Sequence, residues 1–382
     1  MRLTAPEYTN NCWTMVHDYV TKVKSGEIVA GKYIKLTVAK FTKRLSETDK
    51  YDYRTDKVDK VFGFFSFINI DYKNDYIQFP MMPFQAFFLA LVFGFYHKGT
   101  EKRIVREALL FIGRKNGKTA FSAAIQLYGM LGDGVNAPQS LLLANTAKQS
   151  SNALNYAKDI IVHTPELRKR LMGQRNKIVF LDSSKQGFCE IFSTIEPSRL
   201  EGFSPSMAIL DEIHGFTDSN IYNAVKTGTG ARLNPLILMI TTAGNNQQSF
   251  CNDYLQYHKN VLDGKIEDDN SVAMIFQPDV DDELEDTSCW IKANPALGTI
   301  INLDDLISSY NQAKHSYVDQ YNFVTKHLNI FWDTPDVWIP ELTLRPLFDE
   351  FDKEKLKGMS CHMGIDLSRT TDLTSIVLLF FD

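Results

Sequence analysis

Cysteine is scarce and unpatterned in this 382-residue chain: Cys12, Cys189, Cys251, Cys289 and Cys361, with no Cys-x-x-Cys pair. That excludes a dense disulfide framework and a paired-cysteine zinc site, and it fits a reducing compartment. Long apolar runs are missing too. The strongest candidate for a membrane span, Phe84 to Tyr96, falls well short of the roughly 20 residues a spanning helix needs. Its apolar residues Phe84, Phe87, Phe88, Leu91 and Phe95 recur at helical spacing, which predicts a buried helix. There is no secretory signal pattern, no internal repeat and no low-complexity tract. An excess of positive charge is absent: the formal net charge is -5, so no global basic surface announces nucleic acid, although a local basic patch is sufficient for it.

What is present concentrates in one stretch. Ala108, Leu109, Leu110, Phe111 and Ile112 read as a buried strand, Gly113-Arg114-Lys115-Asn116 as a turn, and Gly117-Lys118-Thr119 opens a helix-forming segment. Strand, loop, Gly-Lys-Thr and helix is the context of a phosphate-binding loop. In that reading backbone N–H groups point at phosphate oxygens, Lys118 neutralises the β/γ-phosphates of ATP, and the Thr119 hydroxyl holds Mg2+. The loop departs from G-x-x-x-x-G-K-[ST]: the first glycine is due at Ile112 and stands at Gly113. An ordinary turn before a helix is the competing explanation.

Two further strands argue against that explanation. Met207 to Asp211 ends in the acids Asp211 and Glu212. At the tip of a parallel strand beside the loop, Asp211 would reach Mg2+ and Glu212 would polarise the attacking water. The alternative is that the pair caps the next helix. Pro235 to Ile240 is another near-continuous apolar run, as in a strand covered on both faces. It ends in Thr241-Thr242-Ala243-Gly244, small hydroxyl residues suited to sensing the γ-phosphate.

The chain organises into four parts: an N-terminal helical segment over 1–60, an ATPase domain over 61–330, a linker over 331–357 marked by Pro335, Trp338, Pro340 and Pro346, and a new domain over 358–382. The fold class expected for 61–330 is α/β, a P-loop NTPase with a mainly parallel central sheet flanked by helices. Strands are predicted at 108–112, 140–144, 178–181, 189–193, 207–211 and 236–241, and after the linker at 361–367 and 375–381. In the first part, Trp13, Val16, Tyr19, Val20 and Val23 follow helical spacing up to Lys24-Ser25-Gly26-Glu27, and a basic run spans Lys32 to Arg44.

In this order the motifs resemble the large subunit of tailed-bacteriophage terminases, motors that package DNA into capsids. Pro83-Phe84-Gln85 looks like the family's adenine-recognition motif, with Gln85 on the base. Arg114 to Thr119, including Asn116 and Gly117, resembles its deviant phosphate loop. Leu200-Glu201-Gly202-Phe203, the Asp-Glu strand and Thr-Thr-Ala-Gly follow in family order. The resemblance implies an ATPase in which an arginine stabilises the transferring phosphoryl group. Arg114 is the candidate in cis, Arg199 the candidate reaching a neighbouring subunit, and Arg232 a weaker third. Lys148 and Gln149, at the start of a helix, are candidates for contact with the DNA backbone. The implied partners are double-stranded DNA, a terminase small subunit and the portal protein. By family analogy the implied assembly is a homo-oligomeric ring, a pentamer, in the host cytoplasm and at the procapsid vertex.

Terminase large subunits resemble a fusion of this ATPase with a ribonuclease-H-like nuclease. His362 to Ser368 looks like that nuclease's first strand, Asp366 matches its first metal-binding acid (Mg2+ or Mn2+), and Asp372 follows. Two-metal cleavage needs several carboxylates. The expectation is therefore a motor with an incomplete, truncated nuclease site. Two other readings stay open: a helicase-like translocating ATPase outside packaging, and a catalytically silent prophage remnant.

Overall fold

The computed structural model describes residues 2–193, 197–200, 202–332, 352–367 and 374–380. The chain divides into two compact units, Met1–Thr334 and Pro335–Asp382. Most of the linker expected over 331–357, including Pro335, Trp338, Pro340 and Pro346, lies outside the described residues, as do Glu201 and Asp372.

The first unit begins with helices α1 (Ala5–Ser25) and α2 (Lys32–Ser46). The helix expected at 13–23 is the core-facing part of α1, ended by Gly26 in the left-handed conformation (φ 83°), and the basic run is α2. Strand β1 (Tyr51–Tyr53), α3 (Thr55–Phe65), the hairpin β2 (Asn69–Tyr72) and β3 (Asp75–Gln78), α4 (Pro83–Phe93) and β4 (Phe95–His97) follow. Every residue of α4 from Phe84 to Phe93 is buried, so the most apolar segment of the chain is a core helix.

Next come β5 (Glu107–Phe111), α5 (Lys118–Leu131), β6 (Gln139–Ala144), α6 (Ala147–His163), α7 (Pro165–Arg168), β7 (Leu171–Gly173), β8 (Lys177–Phe180), β9 (Phe188–Ser193), β10 (Met207–Asp211), α8 (Asn220–Gly228), β11 (Leu236–Thr241), α9 (Phe250–Leu262) and β12 (Ser271–Ile275). β5 to β12 form one eight-stranded sheet in the order β12-β5-β11-β10-β6-β9-β8-β7. Its six strands from β12 to β9 are parallel; β8 pairs antiparallel with β9 and with β7.

The pleat explains the layering. On β5, Ala108 and Leu110 face one core with α1 to α6, while Leu109 and Phe111 face a second with α8 and α9. Covered on both faces, the strands read as continuous apolar runs, and each fully buried Leu or Ile contributes about 1.5–3 kcal/mol. All six strands predicted for this domain are present. β12, on the far side of β5, and the edge strand β7 are additional.

After the sheet, α10 (Trp290–Ala293), α11 (Leu303–Ala313) and α12 (Tyr317–Asn322) enclose a small core around Trp290, Leu306 and Phe323. In the second unit, β13 (Cys361–Asp366) pairs antiparallel with β14 (Ser375–Phe380), placing Asp366 opposite Ser375. Among the described residues no helix is long and apolar enough to cross a membrane.

Candidate functional site

Three neighbouring strands, β5, β11 and β10, present their C-terminal tips side by side, so the Gly-Lys-Thr loop, Thr241 and the Asp211–Glu212 pair share one crevice. The loop leaves β5 after Ile112, whose N–H donates to the Thr241 carbonyl (3.0 Å). It turns through Lys115 (φ 64°) and Gly117 (φ 78°), both left-handed, and enters α5 at Lys118. Among the described residues the N–H groups of Lys115, Asn116 and Gly117 have no acceptor in the protein. Beside a helix N-terminus, such donors fit a phosphate.

Lys118 is buried, 9% exposed; its ammonium donates to the Ile112 carbonyl (3.2 Å) and stands 3.7 Å from Glu212 Oε1. Burial pushes its pKa below the usual lysine range. Burial, with Glu212 adjoining, pushes the Asp211 carboxyl up to about 6. Burial also works against ionisation of Glu212, but Lys118 and His214 outweigh it and hold that carboxyl at about 2. The two adjacent acids thus divide into a carboxyl raised by burial and by its neighbour's charge, and a firmly ionised carboxylate. Asp211 and the exposed hydroxyl residue Thr119 are hard oxygen donors of the kind Mg2+ takes.

Asn116 is bound differently from the expectation. It is 1% exposed, and its Nδ2 lies within bonding distance of the Gly113 carbonyl (3.1 Å), the Arg114 carbonyl (3.2 Å) and Asn294 Oδ1 (3.1 Å), while its Oδ1 accepts from the Ala296 N–H (3.1 Å). The side chain braces the loop, so any contact with nucleotide belongs to its backbone N–H. Gln85 is buried beside the loop, its Nε2 3.6 Å from where a Cβ on Gly117 would stand, and its Oε1 caps α4 by accepting from the Met82 N–H (3.1 Å). Thr241 and Thr242 are buried at the tip of β11.

The arginines separate. Arg114 is exposed on the loop, its N–H held by the Lys326 carbonyl (2.9 Å). Arg199 lies over the Phe192 ring (5.9 Å to the centroid), beside β9 and away from β5. Arg232 donates to the Ser204 (2.7 Å) and Ala137 (3.3 Å) carbonyls, which precede β10 and β6 at the opposite end of the sheet from the crevice. This removes Arg232 as a cis finger. Lys148 is exposed, whereas Gln149 is engaged in the Thr146 cap of α6 (3.2 Å).

Sequence reasoning missed the segment after β12 that closes over the loop. Asn294 Nδ2 donates to the His327 carbonyl (2.7 Å), Gly113 N–H reaches the Ala293 carbonyl (3.4 Å), and Asn329 Oδ1 accepts from the Ala243 N–H (2.8 Å). This explains the displaced glycine. A Cβ at position 113 would stand 2.9 Å from Asn294 Oδ1, 3.2 Å from the Ala293 carbonyl oxygen and 3.3 Å from that of His327. Gly113→Ala is therefore expected to destabilise the first unit by about 1–3 kcal/mol, read as a lowered midpoint in urea unfolding. No signal in the sequence marks Asn294 or Asn329.

The sheet, its switch-point crevice and the loop define a P-loop α/β nucleotide-binding fold. A family model described as the terminase large subunit ATPase domain matches residues 83–260, and one described as the terminase large subunit endonuclease domain matches 265–382. The chain belongs to the terminase large-subunit family. It is 22% identical to the terminase large subunit of Lactococcus phage SK1 over 364 residues, covering 92% of this chain and 65% of that protein. It is 27% identical to the terminase large subunit of Enterobacteria phage HK97 over 309 residues, covering 78% of this chain and 56% of that protein. The crystal structure of the HK97 large terminase shares the fold, with a TM-score of 0.61 at 24% identity over 84% of this chain and 64% of that one. The chain thus spans under two thirds of the length of these relatives. The endonuclease match begins at residue 265, before β12 of the central sheet, whereas the sequence suggested a new domain at 358.

Proposed function

We propose that this chain hydrolyses ATP as the motor subunit of a DNA-packaging terminase. The observation that carries the reading is the convergence of Lys118, Asp211, Glu212 and Thr241–Thr242 on three adjacent strand tips. ATP would lie over Gly117-Lys118-Thr119, with Gln85 toward the base. Lys118 would leave Glu212 for the phosphates, and Glu212, ionised at neutral pH, would accept a proton from the attacking water. Thr119 and Asp211 would hold Mg2+, which when bound neutralises charge on the β and γ oxygens.

Double-stranded DNA is the proposed track, with the small subunit and portal protein as the family's partners and a ring as the working assembly. The strip from α7 to β9 supports a DNA contact. It exposes Arg168, Lys169, Arg170, Arg175, Lys177 and Lys185 against only Glu166 and Asp182, in a chain of net charge -5. Arg175→Ala with Lys177→Ala is expected to flatten the salt dependence of duplex binding by about two units of log–log slope, measured by fluorescence anisotropy. An unchanged slope would place the track elsewhere.

The nuclease reading rests on the endonuclease-domain match over residues 265–382 and, at the level of a named side chain, on Asp366. Among the described residues no group of three His, Cys, Asp or Glu side chains is placed to hold a metal ion. The testing experiment is Mg2+-dependent ATP hydrolysis with and without duplex DNA. Turnover raised by DNA and lost in Lys118→Ala supports the motor. Turnover indifferent to DNA supports a bare ATPase, ATP binding without turnover points to an arginine supplied by a neighbouring subunit, and neither binding nor turnover supports a silent remnant.

A further inference from the structure

His214 sits between the proposed general base and the tip of β11. Its Nδ1 is 3.1 Å from Glu212 Oε2, 3.2 Å from Thr241 Oγ1 and 3.5 Å from Thr242 Oγ1. Its backbone N–H also donates to Thr241 Oγ1 (3.2 Å), and that hydroxyl donates onward to the Thr242 carbonyl (3.0 Å). Residue 214 is thus tied to β11 through both backbone and ring. The Thr242-Ala243-Gly244 stretch after β11 is shaped to receive it: a Cβ at Gly244 would stand 3.1 Å from His214 Cβ.

We propose that His214 is the positioning residue of Glu212, gripping one carboxylate oxygen so that the other is left for the attacking water. Three observations converge on this. Glu212 is a non-glycine residue in the left-handed conformation (φ 53°), which costs about 1–3 kcal/mol and persists only where the surroundings enforce it. Its backbone is fixed by N–H donation to the Ile240 carbonyl (2.8 Å). Its two oxygens face different partners, Oε1 toward Lys118 and Oε2 toward His214 at 3.1 Å, with the Thr242 hydroxyl donating to the same Oε2 over a longer 3.5 Å.

The division of labour follows. An ionised carboxylate only accepts hydrogen bonds, so Nδ1 carries the proton in this pair. When the phosphates draw Lys118 away, Glu212 loses the partner on Oε1. Without a second anchor the carboxylate would rotate among several orientations. With Nδ1–H on Oε2, the free Oε1 stays in the crevice at the position Lys118 vacated. The same ring leans on Thr241 and Thr242, so a shift at the β11 tip would be felt directly by the base.

This inference rests on the ATPase reading, and the test separates the two. Turnover is measured in the full chain with saturating Mg2+-ATP, for wild type, His214→Ala, His214→Asn, Glu212→Gln and the double variant Glu212→Gln/His214→Ala. The expected result is a roughly 10- to 100-fold lower kcat in His214→Ala with KM little changed, since ATP itself touches Lys118 and the loop. His214→Asn places an amide N–H near the position of Nδ1 and is expected to recover most of the loss. Adding His214→Ala to Glu212→Gln is expected to cost nothing further, because a residue acting through the base has nothing left to position.

Equal kcat in wild type and His214→Ala, or a full additional loss in the double variant, overturns the positioning role while leaving the ATPase reading in place. A wild type without hydrolysis overturns both. Should His214→Ala not fold, the Asn variant decides: near-wild-type kcat supports the role, and a large loss in the folded Asn variant overturns it.

Discussion

Glu212→Gln is expected to lower the kcat for ATP hydrolysis by about 10²–10⁴-fold, the range general-base removal typically costs, while ATP still binds. The substitution is nearly isosteric and keeps an acceptor oxygen for the His214 Nδ1–H. The backbone anchor on the Ile240 carbonyl is untouched. What it removes is the negative charge that draws Lys118 to 3.7 Å and the basicity that would take a proton from water. Because Lys118 is released from its ion pair without ATP, nucleotide affinity should hold steady or rise. The check is paired: single-turnover hydrolysis for the chemical step, and fluorescent-ATP titration for binding. Lys118→Ala should behave differently, losing binding and turnover together, since it deletes the cation that meets the phosphates. A Glu212→Gln variant that turns over at the wild-type rate would show that Glu212 is only the countercharge of Lys118.

The residues that carry this argument were legible to different degrees. The apolar runs ending in Lys-loop, Asp-Glu and Thr-Thr were visible because a strand buried on both faces has no polar side to interrupt it. Their adjacency is a property of strand order, which the motifs do not state and which the pairing of β5 with β11 and of β11 with β10 supplies. β12 was passed over because Ser271–Ile275 is a five-residue run following the acidic stretch Glu267-Asp268-Asp269-Asn270, which reads as loop. The edge strand β7 is three residues long and carries no alternation to detect.

The loop-closing contacts were harder still. Asn294 and Asn329 are polar residues in a stretch without motif or periodicity, and their value comes from burial against backbone groups distant in sequence. Asn116 could be picked out as part of the loop, but the direction of its side chain could not. His214 carries no signal in the sequence, because nothing in Asp-Glu-Ile-His shows that the chain turns back after Glu212 and brings the ring against β11.

Arg199→Ala is expected to lower turnover by about 10³–10⁵-fold, the range an arginine finger contributes, and the loss is expected to be repaired in trans. Sheet geometry favours trans action. Arg199 stands by the Phe192 ring on β9, and β9 is separated from β5 by β6, β10 and β11. Four strand spacings amount to about 19 Å across the sheet, beyond the reach of an arginine side chain toward its own phosphate loop. In a ring, a head-to-tail interface sets one subunit's flank against the next subunit's crevice.

The decisive measurement mixes two inactive proteins. Arg199→Ala subunits keep Glu212 but lack the finger; Glu212→Gln subunits keep the finger but lack the base. In randomly mixed rings at equal ratio, about a quarter of head-to-tail interfaces join an intact base to an intact finger, so up to that share of wild-type turnover should return. A mixture as inactive as its components would shift the role to Arg114, which lies in the loop within electrostatic influence of both Lys118 and Glu212. Arg114→Ala subunits mixed with Glu212→Gln subunits supply the converse. If Arg114 acts in cis on its own nucleotide, no mixture can restore it, because every site with an intact Glu212 lacks the arginine.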